Sequence, residues 1–250
     1  MKNRFCPWLV AGAVLLSAMP SHAQDVQAIL TRVAEAYRNA KSYQAQATLT
    51  QTRQGGGQQQ RRSSTISTKY KAPNKVVTIL QGNETMQVYS DGKTMYIYSP
   101  KEKQYMKMPA PASLAQMPGM SGVGSGDPTQ IGAQLQAIFA NGKKLADRNV
   151  GGKPAFVLQS TQSQQSQDGK TSFQLTATAF IDKATYLLRQ LSIQATRSQG
   201  AQKVVETITV NFASQQINPN LPDSVFAFKP PAGAKEVTPP QPSGATPAPR

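Results

Sequence analysis

From Val26 to Tyr37 the apolar residues Val26, Ile29, Val33 and Tyr37 recur at spacings of three and four. That recurrence is one stripe of an amphipathic helix. The period then changes to two. Tyr43, Ala45, Ala47 and Leu49 alternate with Gln44, Gln46, Thr48 and Thr50, the mark of a strand with one buried face. Gly55-Gly56-Gly57 reads as a turn. Alternation resumes through Ser64, Ile66, Thr68 and Tyr70 and stops at Lys71-Ala72-Pro73-Asn74.

Asp91-Gly92 suits a two-residue hairpin turn that needs positive φ. With Ser90 facing Lys93 across it, Val88 faces Met95 and Met86 faces Ile97, so four apolar side chains gather on one face. Tyr89, Thr94, Gln87 and Tyr96 occupy the other. Met106 to Gly126 differs in kind: Met106, Met108, Met117 and Met120 lie among Pro and Gly, which reads as a mobile apolar loop. Asp127-Pro128 then caps a second helix with Ile131, Leu135, Ile138 and Phe139 along one stripe and Gly142 just beyond its end. Strand patterns return at 153–160, 171–181, 186–196 and 203–213. Gly151-Gly152, Asp168-Gly169, Asp182-Lys183 and Gly200-Ala201 punctuate them as hairpin turns. A last short strand is expected over 225–228. From Thr238 the chain is Pro-rich without apolar periodicity and reads as a disordered tail. The expected fold class is mainly β (α+β): one strongly curved antiparallel sheet plus two helices.

The N-terminus changes the compartment. Lys2 and Arg4 precede an apolar run from Phe5 to Met19, and Ser21-His22-Ala23 supplies small residues at −3 and −1. This is the pattern of a cleavable secretory signal peptide. The organisation expected is therefore a leader over 1–23, a folded domain over 24–237 and a tail over 238–250. Cleavage after Ala23 gives a soluble periplasmic protein.

It also changes the chemistry. Cys6, Trp8 and His22 are the single residues of their types, and all three leave with the leader. Disulfides, His- or Cys-based metal sites and His-dependent nucleophilic systems leave with them. No metal or cofactor is expected. Lys2 and Arg4 depart as well, so the net charge falls from +15 to +13.

The 89–100 stretch, Tyr89-Ser90-Asp91-Gly92-Lys93-Thr94-Met95-Tyr96-Ile97-Tyr98-Ser99-Pro100, resembles the "SDGKTLW-Y-P" hairpin of the LolA-like periplasmic lipoprotein carriers. Ala40-Lys41-Ser42-Tyr43 with Thr50-Gln51 is similar to the end of that family's first helix and its following strand. Lys71-Ala72-Pro73-Asn74 is similar to its "K-R-P-N" turn, and the 226–233 stretch to its "F-x-F-x-P-P-x-G" end. The resemblance spans about residues 25 to 237 and fits an uncharacterised periplasmic branch of the family. It implies a half-barrel, an incomplete antiparallel sheet covered by helices around an apolar cavity for acyl chains. It departs from the carrier at Ala72, where the carrier has a lid-holding Arg. Lys71 and Lys75 are the cations nearest that place, and a Lys point charge is not equivalent to a planar Arg fork.

On this resemblance the sheet face Met86, Val88, Met95 and Ile97 lines the cavity. Ile29, Val33, Ile131, Leu135 and Phe139 roof it, and Met117 and Met120 belong to an adaptable lid. For a generic sheet the same residues are plain core. The basic patches Arg61-Arg62, Lys69-Lys71-Lys75 and Lys101-Lys103-Lys107 are scattered, and an exported protein meets little nucleic acid. Anionic membrane surface is the better-matched partner. Asp91, Asp127, Asp147, Asp168, Asp182 and Asp223 each sit in a turn or cap context that needs no catalysis to explain it, so no enzymatic activity is expected. The expected function is a monomeric periplasmic carrier of lipid or lipoprotein acyl chains. The alternative is a non-enzymatic envelope sensor or scaffold of the same fold that binds a protein partner.

Overall fold

The computed structural model describes residues 21–83, 85–112, 127–167 and 170–238; the side chains of 21–24 are not described. Met117 and Met120, the Asp168-Gly169 turn, residues 1–20 of the leader and the tail from 239 lie outside that set.

Helix α1 (Ser21–Arg38) presents Val26, Ile29, Leu30, Val33 and Tyr37 as a buried stripe. Two meanders follow. The first holds β1 (Ser42–Gly55), β2 (Gln58–Lys71), β3 (Lys75–Gln81), β4 (Met86–Asp91), β5 (Thr94–Ser99) and β6 (Gln104–Pro109). The second holds β7 (Lys143–Val150), β8 (Lys153–Gln165), β9 (Thr171–Asp182), β10 (Leu188–Gln199) and β11 (Gln202–Ile217). A 3-10 turn (Pro128–Gln130) and helix α2 (Ile131–Ile138) precede the second meander. Asp127 starts this segment, its Oδ1 accepting from the Thr129 amide at 3.0 Å and the Thr129 hydroxyl at 2.6 Å.

Antiparallel pairing of β1 with β11 joins the meanders side by side into a sheet ordered β12-β6-β5-β4-β3-β2-β1-β11-β10-β9-β8-β7. Its last member, β12 (Lys235–Val237), adds parallel to β6. One core cluster contains Leu30, Val33 and Tyr37 of α1 together with Val76, Val88 and Met95 of the first meander. It also contains Leu158, Ala179 and Leu191 of the second. Helical residues that touch both ends of a 12-stranded sheet require that sheet to curl around them. The expected curved, incomplete barrel covered by helices is therefore the fold. The helices approach closely at Gly132, where a Cβ would lie 2.6 Å from the Ala34 Cα.

Three expectations are corrected. In the β4–β5 hairpin Ser90 pairs with Met95 and Val88 with Ile97. Asp91 Oδ1 accepts from the amides of Lys93 at 2.8 Å and Thr94 at 2.7 Å, which draws two more residues into the loop. Each partner shifts by two, so the same side chains still share a face. Met106 and Met108 lie in β6 rather than in a loop. Residues 225–228 are not a strand: a 3-10 turn (Asp223–Phe226) precedes extended chain. That segment covers the outer face of β3–β6. Phe226 and Leu221 bury against Val77, and the Phe228 ring lies 4.9 Å from Tyr96 and 5.2 Å from Tyr89. Lys71 and Lys75, the cations beside Ala72, pair with this same segment. Both ammonium groups lie 2.7 Å from Asp223 on the covering segment, and together they pull its carboxyl down to about 2.

Candidate functional site

Seven of the eleven residues nominated from the sequence meet in the central cluster: Ile29, Val33, Val88, Met95, Ile131, Leu135 and Phe139. Ile97 packs against it. Their burial is nearly complete, with Val33, Met95, Leu135 and Phe139 fully enclosed. The gap among Tyr43, Thr68, Asp127 and Ile131 amounts to about 20 Å³, room for about one water. In this conformation the helices fill the lower part of the concave face. Met86, the ninth nominated residue, stands apart from the cluster and is 40% exposed.

A polar latch holds α1 in place. The Tyr37 hydroxyl donates to Gln215 Oε1 at 2.7 Å and accepts from the Leu188 amide at 3.0 Å. Tyr43 donates to the same oxygen at 2.9 Å, and Gln215 Nε2 donates to the Leu188 carbonyl at 2.6 Å. Burial raises both phenols well above their ordinary range. Burial, with Asp127 nearby, pushes Tyr70 up to about 12. Burial thus favours the neutral form of all three phenols.

Among the described residues, the concave face beyond the helices stays open at Met86, Phe173 and Ile208. Register defines which residues share it. Met86 pairs with Leu80, Leu80 with Ile66, and Ile66 with Ala47. Leu49 pairs with Val210 and Val210 with Leu191, while Ile208 pairs with Ile193 and Ile193 with Ala177. Leu175 and Phe173 continue that face of β9. Since Val88, Leu191 and Ala177 belong to the core, alternation puts Met86, Ile208 and Phe173 on the same side. These three are the exposed large hydrophobic residues among the described ones, at 40%, 44% and 41%. They come from β4, β11 and β9, far apart in sequence, and all face the concavity.

The band therefore runs from β4 to β9 across seven strands, about 29 Å at the usual 4.8 Å spacing. On its edge away from the helices, midway across the band, Arg53, Arg62, Glu206 and Ile208 border a hollow of about 300 Å³. The sequence reading missed Leu49, Ile66, Leu80, Leu175, Ile193 and Ile208. Their signal is the strand alternation itself, carried past the point where the helices could cover it. Among the described residues no three His, Cys, Asp or Glu side chains gather as a metal site.

A model of the family described as "Predicted periplasmic protein (DUF2092)" matches residues 26–118 and 129–238. No curated protein matches the sequence. Among solved structures, LprF from Mycobacterium bovis is 14% identical with a TM-score of 0.41, over 80% of this chain and 98% of that one. A LolA superfamily protein from Nitrosomonas europaea is 12% identical with a TM-score of 0.31, over 82% and 97%. The MucA/MucB complex structure from Pseudomonas aeruginosa contains a chain 16% identical with a TM-score of 0.40, over 82% and 61%. The superfamily that the sequence resembles thus occurs among these neighbours.

Proposed function

The chain belongs to the predicted periplasmic family DUF2092, and from that premise and the concave band we propose that it is a periplasmic, non-enzymatic carrier of a hydrophobic ligand. The ligand is lipid or the acyl chains of a lipoprotein, laid on the concave face between the helical plug and the polar rim. The observation that carries this reading is the common orientation of Met86, Phe173 and Ile208. Scattered exposed apolar residues need no explanation, whereas a contiguous apolar face does. An extended acyl chain spans about half of the roughly 30 Å bilayer hydrocarbon core, so the band is long enough for one chain or two. Each buried methylene contributes about 0.8 kcal/mol.

The chain is read as exported, with the leader removed after Ala23. Val33, Met95, Leu135 and Phe139 deepen the site when α1 and α2 lift from the sheet. The test is binding of a fluorescent fatty acid to the purified protein. Saturable binding that Ile208→Glu abolishes supports the carrier. Binding that survives both Ile208→Glu and Phe173→Glu places the ligand elsewhere and contradicts it.

A further inference from the structure

The apolar band does not end in neutral polar groups at β1, β2 and β11. Arg53 and Arg62 face inward there, because register places Arg62 opposite Gln51 and Arg53 opposite Gln60 and Glu206. Ile208 lies beside them in the hollow of about 300 Å³. Glu206 meets Arg53 at 3.3 Å, with both side chains more than half exposed, a pairing that solvent keeps weak. Arg62 has no ion pair among the described residues. Two strands further on, Arg197 shares the concave face through its pairing with Phe173 and Val204. The edge of the apolar band away from the helices thus carries three arginines against one glutamate.

We propose that this hollow is a head-group site, selecting amphiphiles whose phosphate or carboxylate head carries a net negative charge over zwitterionic or neutral ones. The inference rests on the carrier reading and specifies its substrate class. A chain lying over Ile208 and Leu49 brings its head to the hollow, where the guanidinium of Arg62 presents paired N–H donors to an anionic oxygen. Glu206 opposes that anion, and it occupies Arg53 until a ligand competes.

The experiment compares lysophosphatidylglycerol with lysophosphatidylcholine of the same acyl length, both monomeric, on the purified protein at low and high salt. The anionic lipid is expected to bind about fivefold to tenfold more tightly at low salt. Arg62→Gln removes most of that preference by weakening the anionic lipid more than the zwitterionic one, Glu206→Gln increases it, and salt erodes it. Equal binding of the two lipids, or a preference that neither substitution moves, overturns the head-group site and leaves the carrier standing. Binding of neither lipid overturns both. Association with phosphatidylglycerol vesicles without monomer binding also overturns it, since the arginines then serve a membrane surface.

Discussion

Tyr37 shows what a single side chain does here that no periodicity announces. Its ring completes the buried stripe of α1, as spacing from Val33 predicts. Its hydroxyl reaches Gln215, 178 residues away, and the Leu188 amide, and a contact of that separation leaves no local trace in sequence. Tyr37→Phe keeps the ring but strands the Leu188 amide. It should cost about 1–3 kcal/mol, read as a shifted denaturation midpoint with an unchanged slope. The same tyrosines give the fold an alkaline limit. Their folded pKa values lie above the ordinary 10, with Tyr70 at about 12 and Tyr37 and Tyr43 higher. The neutral form is therefore the stabilised one: this contribution is complete below pH 10 and is lost as pH rises towards 12 and beyond. The part of the tyrosinate absorbance that belongs to these three phenols should rise only together with loss of near-ultraviolet circular dichroism. At Asp91 the sequence pointed to the turn but not to its loop length, because two amides captured by one carboxylate decide it.

At the scale of elements, helices and long strands were readable because each buries one face. β3 was not, and the reason is physical. Val76, Val77, Thr78, Ile79 and Leu80 form a continuous run, since the core covers one face and Leu221 and Phe226 cover the other. Alternation vanishes when both faces are buried. The covering segment itself was mistaken for a strand, because its apolar residues suit β structure while Asp223 and the 3-10 turn serve a clasp. Phe226→Ala should cost about 3–5 kcal/mol and raise amide exchange over 221–228 before the rest of the sheet. The clasp is also acid-sensitive. Lys71 and Lys75 lower the Asp223 pKa from its ordinary 3.8 to about 2, so its stabilisation is present above pH 4 and lost as pH falls towards 2. Asp223→Asn should abolish that pH dependence. Asp127→Ala removes the cap before α2 and should cost about 1 kcal/mol, measured in the same denaturation assay.

For the whole molecule, the curled sheet was legible and the state of its interior was not. Periodicity says which residues face inward, and it does not say whether the inward space is filled. Seven nominated residues are buried together in this conformation; Met95→Glu or Leu135→Glu would place a charge in that cluster, so unfolding would mask any loss of ligand. The uncovered band beside them is where surface substitutions discriminate, because Ile208 and Phe173 can change without emptying the core. Ile208→Glu should leave the thermal midpoint within a few degrees of wild type, since exposed positions cost within about 0.5 kcal/mol, while removing fatty-acid uptake. The most direct test of the carrier is native mass spectrometry of the protein purified from its own periplasm. The account predicts a lipid-sized adduct on the folded wild-type chain that is absent from Ile208→Glu. A chain that carries no lipid and instead arrives with one stoichiometric protein partner would contradict it.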